Sequence, residues 1–209
     1  MDASKELLLV VEDVPDTLNL VEITLKFKGY RVATATNGQE ALKAIEKERP
    51  SIIITDILMP RMDGFTFVHR LRVQPETRDI PVVFLSATYV APEDKEFALA
   101  IGATQFLEKP IDIDELLSTV ANLLDHSAPD VHKPLEERDF YEGYRKRLET
   151  KLHQKTSQIT RIEGMLDTLS PAEKQSFQIS LQAAIEERDE IQHLLNQIRD
   201  QLDGNEKSE

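Results

Sequence analysis

Several residues that could do chemistry follow directly on short apolar runs of the chain. They are two acids after the first run, an acid after a later one, then a hydroxyl and a lysine: Glu12, Asp13, Asp56, Ser86 and Lys109. Carboxylates held close together repel one another unless a hard cation lies among them, and Mg²⁺ is suited to oxygen ligands. A lysine and a hydroxyl in the same place would hold phosphoryl oxygens. The set therefore indicates phosphoryl transfer to a carboxylate.

A parallel sheet would bring these residues together. Apolar runs predict strands at Leu7–Val11, Arg31–Ala35, Ile52–Thr55, Val82–Leu85 and Gln105–Leu107. Amphipathic stretches predict helices between and after them, at Pro15–Lys28, Asn37–Lys47, Phe65–Val73, Glu93–Ile101 and Asp112–Leu124. This alternation is typical of an α/β, doubly wound fold with helices on both faces of the sheet. Ligands of such folds bind beyond the carboxyl ends of the strands, where the polar residues would meet.

The order of these motifs resembles the CheY-like receiver domain of two-component response regulators over about residues 5–126. The resemblance is carried by Glu12-Asp13, the segment 56–64 (sequence DILMPRMDG), Ser86-Ala87 and Lys109-Pro110. It implies a flavodoxin-like, five-stranded parallel sheet with the strand order 2-1-3-4-5. It also implies a phosphoacceptor switch within a phosphorelay, with a sensor histidine kinase as the partner.

The resemblance assigns the acceptor and the metal ligands. Asp56 would accept the phosphoryl group, and a magnesium ion would be held by Glu12, Asp13, Asp56 and the backbone carbonyl of Leu58. Leu58 and Thr88 occupy positions that influence the water attacking the aspartyl phosphate in this family. Since Leu58 offers no polar group to orient that water, we expect a long-lived phosphorylated state.

The same resemblance assigns the phosphoryl-binding and switching residues. Lys109 would bind the phosphoryl group, Ser86 would swing to hydrogen-bond it, and Phe106 would follow as the aromatic switch. The Lys109–Pro110 peptide would be cis. Other readings stay open at single positions: Asp13 could cap the first helix, and Phe106 could be a plain core residue.

A different pattern follows a linker that contains two prolines, residues 127–134. Apolar residues spaced by three and four predict two helices, joined by a turn near 169–172, where Ser170, Pro171 and Glu173 form a helix start. We therefore predict a receiver domain at 1–126, an antiparallel coiled-coil hairpin at 135–203 and a frayed tail at 204–209.

The two helical stripes fit one antiparallel register. The facing pairs are Leu166–Phe177, Ile162–Leu181, Ile159–Ala184, Leu152–Ile191, Leu148–Leu195 and Tyr141–Leu202. The same register places Lys155 opposite Arg188, which predicts a polar layer near the middle of a hairpin about 50 Å long. These cations would need acids from the segment 186–190 or from a partner chain.

Further apolar residues widen the stripes beyond a two-helix seam, namely Met165, Ile179, Ile185 and Leu194. Two hairpins packed as a four-helix bundle would cover them. We therefore predict a homodimer through residues 136–202 that signals to a downstream protein by protein–protein contacts. The alternative is a hairpin that folds back on its own receiver.

Two other functions for the second half stay open. His153 could transfer phosphoryl groups in a helical bundle, although a solvated helix histidine is the simpler reading. The basic face from Arg145 to Arg161 could bind RNA or DNA, although no aromatic platform accompanies it and it could instead pair with the acids of 186–190. The chain lacks a glycine-rich nucleotide motif, so we expect no enzyme beyond self-phosphorylation and autodephosphorylation.

Composition narrows the class of protein. The 209 residues carry a formal net charge of −13, which disfavours general binding to nucleic acid or anionic lipid. The chain has no cysteine, which excludes disulfides and a thiolate metal site. Its longest apolar run is far shorter than the about 20 residues needed to span a bilayer. With no signal peptide apparent at the start, we predict a cytoplasmic protein.

Overall fold

The computed structural model describes residues 6–125, 135–166 and 171–205. The chain divides into two compact units, residues 1–135 and 136–209. The predicted linker at 127–134, the predicted cap Ser170 and residues 206–209 of the predicted tail lie outside the described residues.

The first unit is built on a parallel sheet. Its strands are β1 (Leu7–Val11), β2 (Arg31–Ala35), β3 (Ile52–Asp56), β4 (Val82–Ser86) and β5 (Gln105–Glu108). They are ordered β2-β1-β3-β4-β5, and every neighbouring pair is parallel. The predicted fold class and strand order are confirmed.

Five helices cover this sheet. They are α1 (Pro15–Phe27), α2 (Gly38–Lys47), α3 (Gly64–Val73), α4 (Pro92–Ala100) and α5 (Ile113–Asp125). Strands β1, β3 and β4 are buried along their whole length, as expected for a sheet covered on both faces. The core of one face is formed by residues from four of the strands and from α1 and α5, including Val10, Val21, Ile54, Leu85 and Leu116.

Local sequence signals explain where the helices begin and end. Asn37 caps α2, because its side chain accepts a hydrogen bond from the Glu40 amide, and Asp63 caps α3 in the same way through Thr66. Gly29, with φ of 94°, follows the end of α1. The cap residue of α1 is Val14, which makes no side-chain cap, so the alternative role of Asp13 as a helix cap is wrong.

The second unit is a pair of long helices, α6 (Glu137–Leu166) and α7 (Pro171–Asn205). We call this unit the hairpin. α7 begins at Pro171 as predicted and extends two residues beyond the predicted end at 203. The ion pairs Glu149–Arg199 and Lys155–Glu187 show that the helices are antiparallel, because a later residue of α6 pairs with an earlier residue of α7.

The predicted apolar stripes of both helices are buried between them. The buried members are Tyr141, Tyr144, Leu148, Ile159, Ile162, Ala184, Ile191, Leu195 and Ile198. The acids that pair with the two cations of the predicted polar layer belong to the same chain. Lys155 Nζ lies 2.8 Å from a Glu187 carboxylate oxygen, and Arg188 Nη2 lies 2.6 Å from Asp189 Oδ1.

The residues predicted to widen the stripes divide into two groups. Met165 and Ile179 are exposed, with 44% and 67% of their surface accessible, whereas Ile185 and Leu194 are half-buried within the hairpin. Among the described residues, no helix combines the length and apolarity needed to cross a bilayer.

Candidate functional site

The carboxyl ends of four strands meet at one edge of the sheet. Glu12 follows β1, Asp56 and Ser86 end β3 and β4, and Lys109 follows β5. Glu12 and Asp56 are buried, with 1% and 8% of their surface exposed. Carboxylate oxygens of Glu12, Asp13 and Asp56 lie within 4.8 Å of one another. The two acids after β1 and the acid at the end of β3 are therefore brought together as the sequence predicts.

Lys109 links two of these acids. Its Nζ lies 2.5 Å from Asp56 Oδ2 and 2.7 Å from Glu12 Oε2. Its backbone amide donates to the Ser86 carbonyl oxygen at 2.9 Å, which ties β5 to the end of β4. The Lys109–Pro110 peptide is cis. The lysine thus places one positive charge between two of the three clustered carboxylates.

The crowding of acids changes their proton affinity. Burial, together with the nearby charge of Asp56, raises the pKa of Glu12 to about 7. The same two causes raise the pKa of Asp13. Burial lowers the pKa of Lys109, but the Asp56 charge and the hydrogen bonds to Asp56 and Glu12 outweigh it, so this pKa lies above its usual value. The site therefore has more negative charge than a single lysine neutralises.

The Ser86 hydroxyl is bound by the loop that follows β4. It is 2% exposed, and its hydroxyl oxygen accepts hydrogen bonds from the amides of Thr88 and Tyr89 at 3.2 and 3.1 Å. Phe106 is half-buried, with Lys95 Nζ 5.6 Å from its ring centroid. Leu58 is also half-buried beside Asp56, and its carbonyl as a metal ligand stays a prediction.

A glycine supports the acceptor loop in a way that the motif alone does not reveal. The Gly64 amide donates to the Ile57 carbonyl oxygen at 2.7 Å. A Cβ atom added to Gly64 would lie 2.2 Å from the Asp56 carbonyl oxygen, so the start of α3 packs directly on the backbone of the acceptor.

The residue that sequence analysis missed altogether is Tyr89. It stands in the loop after β4 yet is fully buried, with its ring 5.2 Å from that of Phe65. A loop position carries no periodic signal of burial, so no pattern in the sequence points to it.

In the hairpin, the residues predicted to transfer phosphoryl groups or to bind nucleic acid do not form a comparable cluster. His153 is exposed on α6. Of the cations proposed for nucleic acid, Lys151 is buried and Lys155 is half-buried in its ion pair with Glu187, whereas Arg145 and Arg161 are exposed. The predicted basic face is therefore interrupted in its middle.

A doubly wound parallel sheet with acids and a lysine at its carboxyl edge defines a phosphoacceptor domain of the receiver class. The chain belongs to the response regulator receiver domain family, whose model matches residues 8–121. Receiver domains of this family are phosphorylated by sensor histidine kinases and bind Mg²⁺ in their acidic cleft. The family match ends before α6 and leaves the hairpin outside it.

Related proteins match this chain over a stretch about as long as its first unit. An uncharacterized 14.6 kDa protein of Leptolyngbya boryana is 40% identical over 113 residues, which are 54% of this chain and 86% of that protein. The response regulator PleD of Caulobacter vibrioides is 40% identical over 116 residues, 56% of this chain, but the chain spans only 25% of PleD. The regulator RpaA of Synechocystis is 37% identical over 56% of this chain and 48% of its own length.

Solved structures show the same fold. The chemotaxis response regulator CheY4 of Vibrio cholerae is 38% identical, with a TM-score of 0.53 over 56% of this chain and 98% of its own. The receiver domain of the sensor histidine kinase PA1611 of Pseudomonas aeruginosa is 29% identical, with a TM-score of 0.54 over 58% of this chain and 98% of its own. That structure contains a magnesium ion coordinated in its active-site cleft.

Proposed function

We propose that this chain is a response regulator in which Asp56 accepts a phosphoryl group from the phosphohistidine of a sensor histidine kinase. The observation that carries the proposal is the position of Lys109, whose Nζ is within 2.7 Å of both Glu12 and Asp56. A cation held on the acceptor carboxylate can move to the incoming phosphoryl oxygens without leaving the site. Asp13 adds a third carboxylate beside them.

The transfer uses residues already in place. A carboxylate oxygen of Asp56 attacks phosphorus while the P–N bond to the donor imidazole breaks, and the imidazole keeps the electron pair and then takes a proton. Lys109 moves from Asp56 Oδ2 to a phosphoryl oxygen and balances its charge. Ser86 rotates to donate its hydroxyl to another phosphoryl oxygen. The backbone amide of Ile57, which donates to Asp56 Oδ1 at 2.5 Å, holds the acceptor carboxylate in position.

The donor set fits a magnesium ion. Three carboxylates with oxygens within 4.8 Å of one another offer hard ligands at one place, and the raised pKa values of Glu12 and Asp13 mark a site short of positive charge. Glu12, Asp13 and Asp56, with the Leu58 carbonyl, would hold it. When bound, the ion neutralises negative charge on the transferring group.

The test is phosphorylation of the full chain by a small-molecule donor such as acetyl phosphate with Mg²⁺, followed by intact mass. We expect one added phosphoryl group that is lost in Asp56→Asn. Asp63→Asn is the matched control, because Asp63 is also a buried carboxylate but caps α3 outside the acidic cluster, and asparagine keeps the cap. Unchanged phosphorylation of Asp56→Asn would refute the proposal.

The hairpin is proposed to join two copies of the chain and to present the contact surface for a downstream protein. Its seam is closed by its own residues, but Met165 and Ile179 remain exposed on the outside of the helices. Large apolar side chains left in water favour a further contact. Phosphorylation of Asp56 would then change the geometry or the access of this dimer, which makes the chain a switch and not an enzyme.

Light scattering of the full chain tests the dimer. We expect a dimeric mass with and without Mg²⁺ and beryllofluoride, and a monomeric mass for the double variant Met165→Lys, Ile179→Lys. Thr160→Lys, at an exposed polar position of α6, is the matched control and should stay dimeric. A monomeric parent chain in both states would overturn this part of the proposal and leave the phosphoacceptor part intact.

A further inference from the structure

The loop between β3 and α3 contains a strained turn. The Met62 amide donates to the Pro60 carbonyl oxygen at 2.8 Å, which closes a three-residue γ-turn with Arg61 at its centre. Arg61 has a φ of 67°, and among the residues that the structure describes it is the one non-glycine residue with a positive φ. This conformation is rare because it brings the Cβ atom of the central residue close to the backbone.

The first turn of α2 contacts two residues of this γ-turn. The Gly38 amide donates to the Met62 carbonyl oxygen at 3.0 Å, and a Cβ atom added to Gly38 would lie 2.7 Å from Met62 Cγ. At the centre of the turn, Arg61 Nη1 lies 3.2 Å from Glu40 Oε1. The start of α2 therefore holds both the central residue of the turn and the residue that follows it.

Glu40 is itself held in one orientation. Its Oε2 atom accepts the Thr36 hydroxyl at 2.7 Å and the Thr36 amide at 3.1 Å, and its own amide donates to Asn37 Oδ1 at 3.1 Å. These bonds leave Oε1 for Arg61. A surface ion pair contributes little when two flexible side chains must be ordered to form it. Here the acid is already ordered by other contacts, so the pair can hold Arg61 at a smaller entropic cost.

The same loop carries groups of the proposed transfer reaction. It follows directly on the acceptor Asp56, and it contains Leu58, whose carbonyl is one of the proposed magnesium ligands. The Gly64 amide donates to the Ile57 carbonyl oxygen at 2.7 Å, which joins the two ends of the loop. Because the loop is fixed at its ends and held by α2 at the γ-turn, opening of the turn would displace the backbone around Leu58.

We infer that Arg61 and Glu40 are positioning residues for the transfer reaction: their ion pair holds the γ-turn, which fixes the backbone that carries the Leu58 carbonyl. Residues in sparsely populated backbone conformations persist only where their surroundings hold them. Without the pair, Arg61 returns to a negative φ in part of the molecules, and Mg²⁺ binds well only to the remainder. The inference rests on the proposed function and adds two residues that are not themselves proposed ligands.

Two substitutions at position 61 of the full chain test the inference, with Mg²⁺ affinity measured by titration of the ¹⁵N-labelled protein. Arg61→Ala removes the ion pair and keeps the Cβ atom, so Mg²⁺ should bind about fivefold more weakly, as for a turn held in roughly a fifth of the molecules. Arg61→Gly removes the same pair, but glycine adopts a positive φ freely, so its affinity should stay within about twofold of the parent. Both variants lose the same charge, so equal affinities in the two would refute the inference.

Glu40→Ala tests whether the acid acts through Arg61. It should weaken Mg²⁺ binding in the parent chain and have no further effect in the Arg61→Gly chain, because the turn no longer needs the pair there. An equal loss in both chains would overturn the coupling. Glu48→Ala is the matched control, because it breaks the similarly exposed Arg31–Glu48 pair at the other end of α2 and should leave Mg²⁺ affinity unchanged.

Hydrogen exchange without Mg²⁺ gives a readout that needs no bound metal. Peptides that cover residues 57–63 should exchange faster in Arg61→Ala and in Glu40→Ala than in the parent or in Glu48→Ala. Unchanged exchange in a chain that acetyl phosphate still phosphorylates on Asp56 would overturn the inference and leave the proposed function intact. A parent chain that is not phosphorylated would overturn the proposed function, whereas faster exchange in the two variants would still support the hold of α2 on the loop.

Discussion

Replacing Gly64 by alanine would force a methyl group into the backbone that carries Asp56. The added Cβ would lie 2.2 Å from the Asp56 carbonyl oxygen, 3.0 Å from Ile57 Cα and 3.1 Å from the Asp56 carbonyl carbon. All three are backbone atoms, so no side-chain rotation can relieve the contact. The start of α3 must move away from β3.

The size of the effect follows from these contacts. Overpacking of this kind costs about 1–3 kcal/mol of unfolding free energy. Moving α3 also weakens the Gly64–Ile57 hydrogen bond of 2.7 Å, whose loss costs about 1 kcal/mol more. We therefore expect Gly64→Ala to lower the free energy of unfolding by about 3 kcal/mol and to slow phosphorylation of Asp56.

Gly164→Ala is the matched control. Gly164 lies within α6, and an added Cβ there meets no atom within 4 Å. Because alanine is the better helix former, this variant should gain about 0.5–1 kcal/mol of unfolding free energy. Urea unfolding of the full chain, followed by far-ultraviolet circular dichroism, gives both values, and hydrogen exchange of peptides from β3 and α3 localises the loss. A Gly64→Ala chain as stable as the parent would show that the acceptor loop tolerates a side chain, which the reasoning excludes.

Four further outcomes follow from individual contacts. Asn37→Ala removes the cap of α2 and should cost about 1 kcal/mol in urea unfolding, with Asn37→Ser recovering most of it. Hydrogen bonds from the Thr36 hydroxyl and amide lower the pKa of Glu40 from 4.5 to about 2, so its stabilising effect is complete above pH 4.5 and is lost as the pH falls toward 2. Glu40→Gln should therefore flatten the dependence of the unfolding free energy on pH in that window. An equally steep pH dependence in the variant would contradict a stabilising role for Glu40. A double-mutant cycle of Lys155 and Glu187 should give a coupling of about 0.5–1 kcal/mol that shrinks with salt, whereas zero coupling at low salt would count against a structural ion pair. Leu58→Asn should shorten the lifetime of the phosphorylated chain, measured by loss of the added mass, because a polar group at this position can orient water.

The sequence predicts the fold of the first unit closely, with helix and strand ends displaced by at most one residue. The reason is that its strands are continuous apolar runs and that Asn37, Asp63 and Gly29 mark helix ends by local chemistry. The acids and Lys109 could be placed together for a topological reason, since parallel strands end on one edge.

Other features depend on packing that no local pattern encodes. The burial of Tyr89 arises from residues on α3 and β4 that meet only after folding. The close approach of Gly64 to Asp56 depends on how α3 starts against β3. In the hairpin, the stripes of α6 and α7 predict the seam, but the choice of Glu187 as the partner of Lys155 depends on side-chain reach across the two helices.

The charged layer at the middle of the hairpin has a consequence for alignment. An apolar seam by itself tolerates sliding, since one large aliphatic residue replaces another at each turn. If α7 slid by one turn, Lys155 would lose Glu187 and face an aliphatic stretch that includes Ala184 or Ile191. The ion pair therefore specifies one register of the two helices, as single polar residues do in coiled coils. Because the register is fixed, a displacement of one end of α6 would move α6 and α7 together and would not shift one helix along the other.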